Sequence, residues 1–314
     1  MSHDRPTLGI ALMLGFCVVA PLGDALAKIL SDKVALGQLL FVRFGIQALV
    51  LIPIIAATGR IWRMSRRVFL LTLLRTLMHI VGIGMMVSAL YYLPLADAIA
   101  IAFVMPFIML LLGHYVLGEE VGMRRMIACA VGFAGTLLVI QPSFQEVGWP
   151  ALLPLGVALN FALFMLVTRK IAKETDPIGL QAVSGVMAVV LMAPLIYLVP
   201  DQAAPMLAWD SLLPSSTWTL LVAIGLSGTL AHLLMTWSLR YAPSATLAPM
   251  QYLEIPIATV IGFAVFGDLP NMLASVGIAI VVASGLYIVF REQSISRRIE
   301  PMPVAGQAVQ TAAE

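Results

Sequence analysis

Of the 314 residues, 61% are hydrophobic and 11% charged, with mean hydropathy +1.00 and net charge +2, whereas a soluble domain is about 25% charged. That balance leaves no room for a soluble catalytic domain and marks an integral membrane protein, with lipid as its surround and no nucleic acid as partner; the carrier reading reached below adds a small-molecule substrate. Continuous apolar runs punctuated by Gly and Pro, without polar–apolar alternation, also exclude a β-barrel.

Against a span of about 20 apolar residues the chain holds ten helices: 8–30, 35–58, 68–92, 95–117, 123–141, 150–170, 177–199, 217–241, 244–266 and 270–290. The first resembles a secretory leader, but Asp24 falls in the cleavage region and argues that the helix is kept; Asp24 and Lys28, four apart, can neutralise one another. Cys17 and Cys129 lie mid-span and pack as small apolar residues. The second helix carries Arg43 and Gln47, and the third sets Arg75 and His79 four residues apart within "LLTLLRTLMHIVG". Asp97 suits the positive end of the fourth helix. Ala128 and Gly132 in the fifth suit close helix contact, and the fifth and tenth helices, without charge at membrane depth, read as scaffold. The eighth holds "GLSG", Gly225–Gly228, and His232; the ninth holds Gln251, Glu254 and Pro256. The tail 291–314, rich in Ala, Gln and Arg, is expected to be disordered.

Placing the N-terminus inside puts Arg5, Arg60, Arg63, Arg66, Arg67, Arg124, Arg125, Arg169, Lys170, Lys173, Arg240, Arg291, Arg297 and Arg298 on the inner face and only Lys33 outside. The positive-inside rule then makes both termini cytoplasmic in the cytoplasmic (inner) membrane.

An internal repeat is also visible. Tyr92 and Pro94 match Tyr241 and Pro243, and Gly118–Glu119 matches Gly267–Asp268, all at an offset of 149, while Pro106 and Pro256 miss register by one. The offset equals five helices. Five is odd, so the halves 8–141 and 150–290 run with inverted topology, as in many carriers that work by alternating access.

The stretches "MPFIMLLLGHYVLGEE" (Pro106, Gly113, Gly118, Glu119) and "YLEIPIATVIGFAVFGD" (Glu254, Pro256, Gly262, Gly267, Asp268) resemble the fourth and ninth helices of the EamA-type drug/metabolite transporters. The resemblance covers residues 8–290 and departs where Asp268 stands for the more usual Glu. It implies a ten-helix all-α carrier whose ninth-helix glutamate and proline face a central cavity.

A charge at a helix centre costs about 2.5–3.5 kcal/mol, so each needs a partner or a wet cavity. With about 1.5 Å of rise per residue, His79 and Glu254 fall near mid-span, Arg43 and His232 roughly 5 Å off, and Arg75 and Asp24 roughly 7 Å off. Arg75 offers a planar fork to a carboxylate or phosphate, and His79 can exchange a proton, which allows proton coupling. The alternative is that Arg75 pairs with Asp24 or Glu254 and holds helices together. Glu254 either lines the path with Gln251 or pairs with Arg43 or Arg75. Gln47 can extend the same lining. Tyr91, Phe103, Phe161, Trp237 and Tyr252 are candidate stacking residues for a flat substrate.

The expectation is a secondary carrier for a carboxylate-bearing metabolite; the resemblance puts amino-acid export foremost, with uptake of a vitamin or nucleoside-like compound such as riboflavin as the alternative. An intramembrane serine protease is the remote alternative. Its base is missing, because His232 lies five residues from Ser227 and about 140° around the helix. No metal-ligand spacing and no phosphate-binding glycine loop occurs, so no cofactor is expected.

Overall fold

The computed structural model describes residues 6–105, 107–108, 111–112, 123–242, 247 and 250–299. Among these the chain forms ten α-helices: α1 (Pro6–Leu30), α2 (Leu36–Thr58), α3 (Arg66–Tyr92), α4 (Leu95–Ala102), α5 (Met123–Val147), α6 (Leu153–Ala172), α7 (Pro177–Leu198), α8 (Ser215–Tyr241), α9 (Glu254–Phe266) and α10 (Met272–Ile299). α1, α2, α3, α7, α8, and α6 with the short turn before it, are each long and apolar enough to cross a membrane. Their outward surfaces carry large apolar side chains such as Leu49, Val190 and Val222. Polar groups including Arg75, Gln47, His79, Thr168 and Gln181 are buried instead. That inversion suits a hydrocarbon surround, where a polar group must find its partner inside the protein.

Local chemistry sets the helix ends. Gly59 and Gly267 close α2 and α9 with φ of 62° and 73°, a left-handed conformation that glycine adopts without steric cost. The Ser65 side chain accepts from Val68 N to open α3, and Asp176 accepts from the amides of Ile178 and Gly179 to open α7, with Pro177 at the first helical position.

Two expectations need correction. α10 continues to Ile299, past the expected boundary at 290, because no proline or glycine interrupts the chain before Pro301; residues 300–314 lie outside the described set. The fourth and ninth helices are also not continuous. Regular helix breaks at Phe103–Val104 and again at Tyr252–Leu253. Both breaks are tightened by a bond to the third residue back, Val104 N to Ile101 O at 3.3 Å and Leu253 N to Met250 O at 3.1 Å. The two bonds sit 149 positions apart, the offset of the repeat. Proline supplies the cause in the ninth helix: Pro256 has no N–H for the Tyr252 carbonyl, which accepts from Ile255 N at 3.3 Å instead. Pro106, Gly113, Gly118, Glu119 and Pro243 lie outside the described residues.

The helices pack as α1 on α8, α3 on α6, α2 on α7, α4 on α9 and α5 on α10. Small residues permit the closest approaches. A Cβ on Gly185 of α7 would lie 3.2 Å from the Phe44 carbonyl of α2, and one on Gly277 of α10 would lie 2.6 Å from the Gly135 carbonyl of α5.

Lys28 neither snorkels freely nor pairs with Asp24. Its Nζ donates to the C-terminal carbonyls of α3, Leu93 O at 2.5 Å and Leu90 O at 3.3 Å, and lies 5.4 Å from the Phe266 ring. It therefore caps a helix end whose carbonyls have no other intrahelical donor. Lys28→Met is expected to cost about 1–2 kcal/mol, since hydrogen bonds from charged donors contribute about 1.5–3 kcal/mol when buried and less when half-exposed. Thermal unfolding in detergent checks this; an unchanged midpoint removes the cap.

Candidate functional site

The helices enclose a cavity of about 140 Å³, walled by α1, α2, α3, α4, α6, α8 and the start of α9. A single water needs roughly 10–15 Å³ by the same measure, so several fit. The two helix breaks supply part of the wall: Ala102, Phe103 and Met105 on one side, Gln251 and Glu254 on the other. Irregular backbone at membrane depth is tolerated where it lines such a space.

Of the charged candidates, Asp24, Arg43, His79, His232 and Glu254 line the cavity. Ion pairs within 4 Å include Arg60–Asp176 and Arg67–Glu174; among the described residues none locks Arg43, Asp24 or Glu254 into a direct pair. Arg43 fits there because α8 carries Gly228, where a Cβ would lie 2.7 Å from the guanidinium. Gln251 reaches the wall and directs its amide at the Met165 sulfur, 3.7 Å away, while its Oε1 is buried without a hydrogen-bond partner.

His79 of α3 and His232 of α8 meet with Nε2 atoms 2.9 Å apart, ring centroids 4.1 Å apart and planes inclined by 66°. Aromatic rings hold them: Phe44 and Phe164 each lie 5.0 Å from the His79 ring, and Phe164 and Phe16 lie 5.9 and 6.5 Å from that of His232.

Arg75 and Gln47 do not reach the cavity. Arg75 is fully buried (0% exposed) one turn beyond His79, where Nε donates to Thr168 Oγ1 and Nη1 to Ser184 Oγ, both at 2.9 Å. Its guanidinium lies 4.5 Å from the Phe164 ring, and Nη2 is buried without a hydrogen-bond partner. Neither Asp24 nor Glu254 pairs with it, because Arg75 points into α6 and α7. Gln47 donates to the Gln181 carbonyl at 2.6 Å, and Gln181 donates to His232 O and Thr236 Oγ1, both at 3.0 Å. These groups form a sealed polar layer on the side of the cavity that faces the basic end of the bundle. At that end Arg60 pairs with Asp176 at 2.9 Å, Arg67 pairs with Glu174 at 2.8 Å, and Arg240 donates to Thr175 O at 2.9 Å, so the α6–α7 connection is held against α2, α3 and α8.

The aromatic candidates divide similarly. Phe103 and Phe161 line the cavity. Tyr252 is buried behind Phe103, with ring centroids 5.6 Å apart, and Trp237 packs on the Leu51, Ile178, Ala182 and Leu233 cluster. Tyr91 is exposed and rests on Tyr92. Asp97 is buried in the first turn of α4 and accepts from Ser143 Oγ at 3.4 Å. Sequence reasoning missed Asn160, Phe16 and Phe164 in the wall. Asn160 was detectable as an amide amid apolar residues of the sixth span; it donates to Met78 O at 2.8 Å beside Gly82. Ser227 also faces the cavity, but its hydroxyl donates to Ile224 O at 3.2 Å and His232 engages His79, so no serine–histidine pair exists.

The EamA-like transporter family matches residues 7–141 and, separately, 148–290. The chain belongs to that family. An S-adenosylmethionine uptake transporter of Rickettsia bellii is 24% identical over 93% of this chain and 97% of its own. A riboflavin transporter of Vibrio cholerae is 26% identical over 82% of this chain and 84% of its own, and one of Rhizobium johnstonii is 28% identical over 72% of each. One solved crystal structure superposes with a TM-score of 0.64 at 19% identity, covering 93% of this chain and 99% of that one, which shows the fold. This EamA-family protein is a multi-pass membrane transporter, and its relatives are named as transporters, not enzymes.

Proposed function

We propose that this transporter takes up a flat, nucleoside-like or vitamin-like metabolite with charged substituents by alternating access, across a bacterial-type inner membrane with both termini cytoplasmic. The observation that carries the reading is the cavity's lining. Phe16, Phe103, Phe161 and Phe164 offer ring faces, and Asp24, Arg43, Asn160, Gln251 and Glu254 offer donors and acceptors beside them. The names of the relatives favour uptake of heteroaromatic compounds. We therefore prefer uptake to the amino-acid export that the family resemblance led us to expect.

Two inverted five-helix halves, 8–141 and 150–290, account for several observations together. The family matches twice along the chain. Exchanging the halves exchanges the α1–α8 contact with α6–α3 and maps α2–α7, α4–α9 and α5–α10 onto themselves. The helix breaks at Phe103 and Tyr252 also exchange, and their rings meet. Under the positive-inside orientation, the sealed layer and the loop ion pairs close the cytoplasmic side.

Purified protein in liposomes, offered riboflavin, S-adenosylmethionine and a panel of amino acids, tests the reading; flux of amino acids alone would return export to first place. Phe161 stacks on Phe164 at 5.5 Å and 13° between ring planes. Phe161→Ala is expected to raise KM for a flat substrate by roughly 2- to 10-fold, the weight of one aromatic contact of about 0.5–1.5 kcal/mol. An unchanged KM removes Phe161 from the binding surface.

A further inference from the structure

We propose that the His79–His232 pair is the proton-binding site of this transporter, holding one proton between α3 and α8 and coupling its movement to that of the substrate. The proposal rests on the uptake reading above and concerns what drives it.

At 2.9 Å between Nε2 atoms, one ring must donate and the other accept. The donor ring therefore carries its proton on Nε2 and the acceptor ring on Nδ1. Both Nδ1 atoms are buried without a hydrogen-bond partner, so the donor ring's Nδ1 is a bare base. An incoming proton adds there and makes an imidazolium whose Nε2–H still donates to the neutral ring, now as a charge-assisted bond. A second proton has only the acceptor Nε2 to occupy, which would set two N–H groups against each other at the same distance and break the pair. The capacity is one proton.

The surroundings suit that load. Asp24 from α1, Arg43 from α2 and Glu254 from α9 face the same cavity, and Arg75 lies one turn away on α3. α4 and α6 present Phe103, Asn160 and Phe164, none of which titrates, and α7 presents the Gln181 amide to the His232 carbonyl. Arg75 stays behind the wall on Thr168 and Ser184, so the wall itself carries Asp24 and Glu254 against Arg43, and the added proton makes it one charge more positive. The pair also joins helices that exchange under the repeat, α3 and α8, so rocking one half against the other has to remake this contact. Proton release then accompanies the switch in access.

Two liposome measurements separate this proposal from the uptake reading. Counterflow of riboflavin and of S-adenosylmethionine at equal pH reads carriage alone, and accumulation under an imposed pH gradient of one unit reads coupling. Wild type is expected to accumulate substrate up to tenfold, the ratio set by one proton per substrate. His79→Gln and His232→Gln should lose accumulation under the gradient by a far larger factor than they lose counterflow. Counterflow with no response to the gradient in wild type, or full accumulation in both variants, overturns the proposal and leaves carriage intact. Should neither solute exchange, uptake of these compounds fails, and ¹⁵N-histidine NMR of the intact protein between pH 8 and 5 judges the pair directly: one shared imidazolium supports it, two independent titrations overturn it. The same spectra decide for a variant that does not fold.

Discussion

Arg75→Met is expected to leave the protein monodisperse, with an unfolding midpoint within a few degrees of wild type, while uptake falls at least 100-fold. The first half of that result follows from nearly cancelling energies. Burying the guanidinium costs about 2.5–3.5 kcal/mol at a helix centre. Two hydrogen bonds from a charged donor return about 1.5–3 kcal/mol each, and the Phe164 face adds up to about 2 kcal/mol. Part of this is spent holding the side chain in one rotamer and leaving Nη2 without a partner. Methionine fills much of the same space, and Thr168 keeps its own bond to Phe164 O at 2.7 Å. Arg75 thus contributes little net stability. The loss of uptake follows from position: Arg75 supports Phe164, and Phe164 contacts both His79 and His232, so the seal and the cavity wall meet on one ring. A variant that transports normally would return Arg75 to helix packing alone.

Gly277→Leu should instead prevent folding. A Cβ there would lie 2.6 Å from Gly135 O and 2.8 Å from a Val139 methyl carbon, and the obstacle is backbone, which cannot swing aside. Overpacking a core costs about 1–3 kcal/mol when side chains can adjust; here α5 and α10 would have to separate along their length, with a cost above that range. Gly45→Leu is the control, since nothing lies within 4 Å of its Cβ. Size-exclusion chromatography after extraction should show aggregate for the first variant and a monodisperse peak for the second. A well-folded Gly277→Leu would mean that the α5–α10 contact is looser than drawn.

Hydropathy located the spans because each must bury about 20 residues in hydrocarbon, and the depth of a charge along its helix followed from rise alone. Direction around the helix did not. Arg75 and His79 share a face by spacing, yet 40° of residual rotation and one turn of rise suffice to put His79 on the cavity wall and Arg75 in the seal. The bond between His79 and His232 spans 153 positions and that between Gln47 and Gln181 spans 134; no local pattern encodes such partners. Trp237 shows the same limit, being aromatic and within a span but turned to an apolar cluster. The ends of α4 and α10 were misjudged for a different reason, since a hydropathy window sees neither a break tightened by one short turn nor a polar helix leaving the bilayer.

The contacts at the basic end are weakly fastened. Side chains of the Arg67–Glu174 pair are 63% and 43% exposed and those of Arg60–Asp176 40% and 21%, a class of interaction worth about 1 kcal/mol or less. Such a clasp yields to thermal agitation, and the electrolyte around it sets its grip, because mobile ions screen these charges within about 8–10 Å at ordinary concentrations. On the alternating-access reading proposed above, the slow latch is the buried amide and guanidinium layer beneath, and salinity trims the resting state without barring the door.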